Sequence, residues 1–169
     1  MTAQLLIEPI GEKVTVRNGQ TILDACLRAG VWLPHACCHG LCGTCKIEII
    51  SGDIDHGDPS PFALMDIERD EVKALACCAT LLADAVIEAD IEEDPDAMYV
   101  PVRDFAGIVA SLDHLPPDIR GIWIDVEGEG IEFQAGQYIN LAIPGLDVPR
   151  PFSLANPPSQ RKRAELHVR

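Results

Sequence analysis

The segment that most constrains this chain is residues 35–46, HACCHGLCGTCK, which places four cysteines, two glycines and two histidines in twelve positions. Core packing does not require so many thiols so close together. Close-set cysteines serve as a disulfide staple, a zinc site, a redox dithiol or an iron–sulfur site. The whole chain has seven cysteines, and an odd number cannot be fully paired in disulfides within one chain.

The composition places the chain among globular proteins. It has 169 residues, 47% of them apolar and 24% charged, enough for one ordinary domain or two small ones. No apolar run approaches the ~18 residues of a membrane span, and the opening MTAQLLIEPIGEK lacks the features of a signal peptide. We therefore predict no membrane partner and a cytoplasmic location, where thiols stay reduced and clustered cysteines bind metal or do redox work.

The charge is strongly negative and unevenly distributed. The net charge of −14 argues against nucleic acid as a partner. Residues 1–94 hold 6 Lys and Arg against 17 Asp and Glu, whereas residues 95–169 hold 7 against 10. The acidity therefore lies on the part that carries the cysteines. It is either an ordinary solvated surface or a face that docks on a basic partner.

The first part of the chain reads as short strands and helices in the order β-β-α-loop-β-α-β. Thr21 followed by Asp24 resembles a helix start and Gly30 a helix stop, while Ser60 before a proline suggests a second start. This order predicts an α+β fold of the β-grasp type, a mixed sheet around one helix. The predicted strands are residues 4–10, 13–17, 46–54, 75–81 and 84–91, and the predicted helices 21–30 and 60–69.

The second part of the chain reads as an antiparallel β-barrel. The segment EEDPD at 92–96 is charged and poor in apolar residues, and strand-like runs separated by turn residues follow it. We predict a first domain over residues 1–94, a linker over 95–99 and part of a second domain over 100–169.

The spacing of the cysteines favours a plant-type [2Fe–2S] cluster. Cys37, Cys42 and Cys45 read C-x4-C-x2-C, and Cys77 provides a distant fourth thiol. A two-iron cluster needs four thiolates, two for each iron, and one tight loop can supply three of them. The glycines of this loop suit a left-handed backbone close to the cluster, and their amides are candidate donors to sulfur.

Other sites are less well matched by this spacing. Zinc usually takes two C-x2-C pairs, and this loop has one; a thioredoxin-like dithiol lacks its βαβ context. Spacing alone selects Cys37 over Cys38 and Cys77 over Cys78, so both alternatives stay open. We interpret Cys26 as a buried residue of the first helix. His35 and His39 are interpreted as solvated loop residues or as hydrogen-bond donors near the ligands, and not as ligands themselves.

Residues 33–81, with the four-cysteine pattern and the flanking SPFALMDIERDE at 60–71, resemble the reductase component of bacterial phenol hydroxylase. This family consists of ferredoxin–flavin reductases that serve multicomponent oxygenases. The resemblance extends over nearly the whole chain and places it as the N-terminal half of such a reductase. Cys38 departs from the family, in which a smaller residue is usual.

The resemblance implies an electron-transfer function with no catalytic residue in these positions. NADH would reduce FAD, FAD would reduce the [2Fe–2S] cluster, and the cluster would reduce a diiron hydroxylase acting on phenol. No glycine-rich nucleotide loop follows a strand here, so we expect the NAD domain to be absent, the barrel to be truncated and NADH-dependent activity to be missing. The alternatives are a stand-alone ferredoxin-type carrier with a non-flavin β domain and a zinc-stabilised interaction module.

The segment RPFSLAN at 150–156 resembles the R-x-[Y/F]-S motif by which ferredoxin-reductase barrels hold FAD. The guanidinium of Arg150 suits the FAD pyrophosphate, because it presents a planar, permanently charged fork. By the same resemblance, Phe152 would lie against the flavin, where tyrosine is usual, and Ser153 would bond its edge. The predicted FAD-binding residues are Arg150, Phe152, Ser153, Leu154, Val168 and Arg169.

Overall fold

The structure is a computed structural model that describes residues 2–91, 100–146 and 149–169. The predicted linker at 95–99 lies outside the described residues, as does the whole charged segment at 92–96. Contacts within the chain divide it into two compact units, with the boundary between Val102 and Arg103. Each unit has its own hydrophobic core.

The first unit has the predicted β-grasp fold. Its main sheet has the strand order β2-β1-β7-β3-β5, in which β1 and β7 are parallel and the other pairs antiparallel. Helix α1 packs on this sheet through its buried face. The elements are β1 (Thr2–Glu8), β2 (Glu12–Arg17), α1 (Ile22–Ala29), β3 (Lys46–Ser51), β4 (Ile54–Asp55), α2 (Asp66–Asp70), β5 (Lys73–Leu75), β6 (Thr80–Leu81) and β7 (Ala85–Glu88).

Helix α1 begins and ends where the sequence predicts. The Thr21 hydroxyl accepts a hydrogen bond from the Asp24 amide at 3.3 Å, and Gly30 ends the helix in the left-handed conformation with φ 83°. Ile22 and Cys26 are fully buried in the core of the unit. The end of this buried helix therefore fixes the start of the segment that leads into the cysteine loop.

Two predicted elements differ in the structure. The second helix does not begin at Ser60; residues 61–64 form turns, and α2 starts only at Asp66. The predicted strand at 75–81 is interrupted by a turn over residues 76–78, because the chain must bring Cys77 back toward the loop. The two helices hold eight and five residues, and no helix in the described part of the chain could span a membrane.

The second unit consists of antiparallel strands, as predicted for the barrel-type domain. Strands β12, β9 and β8 form one sheet in that order, and β10 pairs with β11 in another. Its buried core is small, with Ile124, Val126, Ala164 and Leu166 at its centre. The strands are β8 (Gly107–His114), β9 (Arg120–Val126), β10 (Tyr138–Leu141), β11 (Arg150–Ser153) and β12 (Arg163–Val168).

Candidate iron–sulfur site

The cysteine loop has no regular structure and lies between α1 and β3. It is held at several points by backbone hydrogen bonds to other parts of the first unit. The Ala76 amide donates to the Cys45 carbonyl at 2.9 Å, and the Ser60 amide donates to the Gly40 carbonyl at 2.9 Å. The loop therefore takes its shape from segments that follow it by tens of residues, not from its own sequence alone.

The structure brings the four predicted ligands close enough for their thiols to interact. Cys37 and Cys42 hydrogen-bond each other within the loop. Cys45 hydrogen-bonds Cys77, which arrives from the turn between β5 and β6. Two irons require four such thiols, since each iron of a [2Fe–2S] cluster binds two thiolates.

Polar groups around Cys37 and Cys42 favour thiolate sulfur. The amides of His39 and Leu41 each approach the Cys37 sulfur at 3.4 Å, and Thr44 Oγ1 lies 3.2 Å from Cys42 Sγ. The sequence suggested amides of the glycines as donors, whereas the observed donors are the residues next to Gly40. Thr44 was not singled out in the sequence, although a hydroxyl two residues from a predicted ligand was a signal for it.

The glycines of the loop are required by space as well as by conformation. Gly40 has φ 71°, and a Cβ on it would lie 2.6 Å from Cys78 Sγ and 3.2 Å from Pro59 Cα. Gly43 has φ 76°, and a Cβ there would lie 3.2 Å from the Ala63 carbonyl oxygen. Cys38 also adopts a left-handed conformation, with φ 56°, which is uncommon for a residue with a side chain.

Helix α1 holds the turn that carries the fourth thiol. The amides of Ile22 and Leu23 donate to the carbonyls of Ala79 and Ala76, at 2.9 and 2.8 Å. Amides in the first turn of a helix have no acceptor within the helix. Here two of them bind the residues directly before and after Cys77 and Cys78, and so hold this turn in place. The two sulfurs of that pair lie 3.7 Å apart.

The loop offers one accessible and one enclosed side. Hydrogen bonding with the Thr44 hydroxyl and then with Cys37 lowers the pKa of the exposed Cys42 thiol to about 6. The pKa of Cys45 is raised well above its usual value, first by its hydrogen bond to Cys77 and then by burial. Cys45 is only 4% exposed. Solvent therefore reaches the site at Cys42.

The remaining cysteines and histidines have other surroundings. Burial raises the pKa of Cys26 to about 12, as expected for a thiol in the core of α1. The ring nitrogen Nδ1 of His35 lies 2.7 Å from the Leu33 carbonyl oxygen. Burial is also the main cause that raises the pKa of Cys78.

The donor set fits a two-iron cluster. The four thiols interact with one another, amides and a hydroxyl lie against the sulfurs of Cys37 and Cys42, and glycines leave room for the close approach of the loop. Within the described residues, no three His, Cys, Asp or Glu side chains are grouped as the ligands of a single metal ion. Structural zinc would need four ligands around one point.

The predicted flavin residues lie on β11 and at the end of β12. Arg150 and Ser153 are exposed on β11, where Ser153 is paired with Tyr138 of β10. Phe152 and Leu154 are half-buried and pack against the small core of the second unit. Val168 also packs against this core, and the Arg169 guanidinium forms an ion pair with Asp118 at 2.5 Å.

Asn156, which sequence reasoning did not single out, fastens the segment after β11 to β12. It is 4% exposed, and its side chain donates to the carbonyls of Gln160 and Arg163 at 3.1 and 2.9 Å. Its Oδ1 accepts from the Glu165 amide at 2.8 Å. Together with the hydrogen bond from the Ala155 amide to the Glu165 carbonyl at 2.8 Å, this buried amide holds the end of the predicted flavin motif against β12.

Residues 5–82 match the sequence family of the 2Fe-2S iron-sulfur cluster binding domain. The whole chain is 57% identical to the phenol 2-monooxygenase reductase component DmpP of Pseudomonas sp. strain CF600 and 53% identical to the phenol hydroxylase P5 protein of Acinetobacter pittii. Each match covers 100% of this chain and 48% of the relative. The chain thus spans about half the length of the curated relatives it matches.

Solved structures give the same relationship at the level of the fold. The crystal structure of the Amycolatopsis cytochrome P450 reductase GcoB matches 99% of this chain and 49% of that protein, with a TM-score of 0.88 and 39% identity. The ferredoxin reductase in carbazole 1,9a-dioxygenase matches 100% of this chain and 51% of that protein, with a TM-score of 0.80 at 24% identity. The latter likeness concerns the fold alone.

Proposed function

From the premise that this chain is a homologue of the reductase components of bacterial phenol hydroxylases, we propose that it carries electrons through a [2Fe–2S] cluster toward an oxygenase. In a protein of its relatives' full length, NADH would be the donor and FAD the carrier that precedes the cluster. The final substrate is phenol or a related aromatic compound. The proposed location is the cytoplasm, where clustered cysteines stay reduced and available to bind metal.

The observation that supports this proposal is the interaction of Cys45 with Cys77, 32 positions later in the chain, beside the interaction of Cys37 with Cys42 within the loop. We assign these four residues as the cluster ligands. A bound cluster accepts and releases one electron at a time, at a potential set by its surroundings. The amides at Cys37 and the hydroxyl at Cys42 stabilise negative charge on those sulfurs, and the buried side at Cys45 excludes water.

The test of the cluster is an absorption spectrum of anaerobically purified protein, followed by low-temperature EPR after reduction with dithionite. We expect a brown protein with two irons per chain and a rhombic S = ½ signal after reduction. A colourless, EPR-silent protein containing zinc would contradict the proposal and favour the zinc-stabilised interaction module.

The FAD site is a proposal that rests on the exposed Arg150 and Ser153 of β11. Arg150 would bind the pyrophosphate through two parallel hydrogen bonds, and Ser153 would bond the flavin edge. Arg150→Ala should weaken FAD binding roughly 10- to 100-fold, the range of a hydrogen bond to a charged group. The measurement is a fluorescence titration with FAD.

A matched control for this titration is Arg161→Ala. Arg161 is an exposed arginine of the same unit, with 55% of its side chain accessible and an ion pair to Glu132 that contributes little to stability. FAD affinity should be unchanged in this variant. If the unsubstituted chain binds no FAD, the stand-alone ferredoxin-type carrier becomes the better interpretation.

The hydroxylase partner is proposed to bind the acidic surface of the first unit. Asp66 and Asp70 of α2 are exposed, whereas Glu68 pairs with Lys46 at 2.6 Å and Glu71 lies 3.5 Å from Lys73. Reversing the charge of these four acidic residues should slow reduction of the partner, with most of the effect at low salt. A rate that is unchanged at every salt concentration would remove the acidic surface from the proposal.

A further inference from the structure

An apolar patch lies exposed beside the cysteine loop. We define it as Leu41, Phe62 and Met65, whose exposed fractions are 67%, 96% and 52%. A phenylalanine that is almost entirely exposed contributes nothing to the core of its own domain, since folding removes little of its surface from water. Single exposed apolar residues are ordinary, but three around one site indicate an interaction surface.

Backbone contacts place these residues on both sides of the accessible end of the site. The Ser60 amide bonds the Gly40 carbonyl at 2.9 Å, and Gly43 lies against the backbone of Ala63. Leu41 and Phe62 lie between these two points of contact, on the facing segments. Cys42, the exposed member of the predicted ligands, is next to Leu41. The patch therefore adjoins the point at which the cluster comes nearest to solvent.

The exposure of Phe62 is built into a well-anchored turn. Its amide lies 3.3 Å from Ser60 Oγ, and the next two residues, Ala63 and Leu64, are 4% and 0% exposed. Their amides both donate to the Ser60 carbonyl, at 2.9 and 3.0 Å. A ring held outward on a fixed backbone can enter a partner's pocket without a large cost in conformational entropy, since its backbone is already ordered.

The charges near the patch are acidic. Asp58 and Asp66, both exposed, lie a few residues from Phe62 and next to Met65, respectively. Lys46, at the start of β3, forms an ion pair with Glu68 at 2.6 Å and so adds little net positive charge near the patch. A partner that covers the patch must therefore present apolar groups at the centre and cations around them.

We propose that Leu41, Phe62 and Met65 form the docking surface for an electron-accepting protein whose apolar hollow is ringed by lysine and arginine. This inference rests on the proposed function, under which the natural occupant is the oxygenase component. A second copy of the chain is disfavoured, because residues 1–94 carry 6 Lys and Arg against 17 Asp and Glu and two acidic rims would repel. Contact at this patch brings the acceptor close to the cluster, and electron transfer slows steeply with distance.

The test uses the 169-residue chain with its cluster and two oxidants of opposite character. Cytochrome c is a basic haem protein of the proposed chemistry, and ferricyanide is a small anion that needs no docking surface. The protein is reduced with dithionite, freed of excess reductant by gel filtration, and mixed with each oxidant in a stopped-flow instrument. The cluster loses one electron, and the ferric haem or ferricyanide gains it, with no proton transferred.

We expect Phe62→Ala to slow the reduction of cytochrome c about tenfold, the loss typical of a residue important at an interface. Its binding to cytochrome c, measured by calorimetry at low salt, should weaken by a similar factor. The reaction with ferricyanide should stay within twofold of that of the unsubstituted chain. Ile10→Ala is the matched control, because Ile10 is a 39% exposed residue in the turn between β1 and β2, an element without cysteines.

Three results would overturn the inference. One is a cytochrome c rate that Phe62→Ala leaves unchanged. A second is an equal slowing with both oxidants, which would assign the effect to the cluster. The third is a wild-type chain that elutes as a dimer and becomes monomeric on substitution, since the occupant would then be a second copy. A chain that holds no cluster fails at the absorption spectrum, so failure of the proposed function is recognised separately.

Discussion

At Val72, directly after the C-cap of α2, the backbone has a left-handed conformation with φ 61°. This is the position at which helices usually place glycine, because a Cβ collides with the neighbouring carbonyl in that conformation. For a β-branched residue it is an outlier. The Val72 side chain is 48% exposed, so it has little packing to offset the strain.

We expect Val72→Gly to be more stable than Val72→Ala by about 1 kcal/mol, because glycine alone avoids the left-handed penalty. The measurement is the free energy of unfolding from denaturant titration. Ile67, exposed within the same helix, is the control: there the alanine variant should be the more stable of the pair. The explanation would be wrong if alanine were also the better residue at position 72.

The adjacent thiols of Cys77 and Cys78 differ in what their side chains contact. The Cys77 thiol hydrogen-bonds Cys45. The Cys78 sulfur lies against Gly40 instead, and a Cβ added to Gly40 would be 2.6 Å from this sulfur. Cys78→Ala should therefore keep two irons per chain, while Cys77→Ala should lose more than half of its iron. Iron and sulfide analysis of both variants measures this. Loss of the cluster in Cys78→Ala, but not in Cys77→Ala, would reverse the assignment.

At the scale of the element, the cysteine loop is shaped by segments that meet it from elsewhere in the first unit. Pro59 and Cys78 crowd Gly40, and Ala63 crowds Gly43. The amides at the start of α1 fix the turn that carries Cys77. A change in any of these segments is therefore expected to act on the cluster, even when it lies far from the ligands in sequence.

Gly40→Ala tests this dependence, and Gly19→Ala is its control, because the two glycines have similar backbone conformations. Gly19 has nearly the same left-handed backbone, φ 75° against 71°, but a Cβ on it would meet nothing within 4 Å. Gly19→Ala should cost about 1 kcal/mol of stability and leave the cluster intact. Gly40→Ala should also lose most of the visible absorbance, because the loop cannot close against Cys78 and Pro59.

The double variant Gly40→Ala with Cys78→Ala removes the nearer of the two contacts and leaves the 3.2 Å approach to Pro59. It should recover part of the absorbance that the single Gly40→Ala variant loses. If Gly40→Ala and Gly19→Ala behaved alike, strain alone would explain glycine at position 40 and the crowding would have no effect.

At the scale of the whole molecule, the two units differ in the size of their cores. The first unit buries a large apolar cluster that includes Leu5, Ile22, Leu64 and Ile87, all at 0% exposure. The second unit buries few side chains, and residues on β8 such as Ile108 and Leu112 are 69% and 66% exposed. Small cores give marginal stability, because little apolar area is removed from water.

A chain ending at residue 102 should therefore fold and hold the cluster as well as the full 169 residues. It keeps the hydrogen bond from the Val102 amide to the Leu27 carbonyl, 3.0 Å, which belongs to the first unit. We expect the same visible spectrum and a melting temperature of the cluster domain within a few degrees. A chain of residues 1–102 that failed to fold would show that the first unit is not independent.

Several features of this protein were decided by local sequence. The ends of α1 follow from Thr21 and Gly30, because capping is an interaction between residues a few positions apart. The hairpin of β1 and β2 and the antiparallel strands of the second part follow from alternation and turn residues. Three of the four proposed ligands are related by spacings of a few residues within one loop, which is why the cluster type could be predicted.

Other features depend on contacts between distant segments, which no local pattern fixes. Our proposal of Cys77 rather than Cys78 as a ligand rests on the interaction of Cys77 with Cys45, more than thirty positions earlier in the chain. The turn within the predicted strand at 75–81 and the late start of α2 arise because these segments pack against the cysteine loop. The spacing of cysteines in the sequence indicates which ligands a single loop can supply. The direction of a side chain from another element is set by the packing of the whole domain, which no local pattern contains.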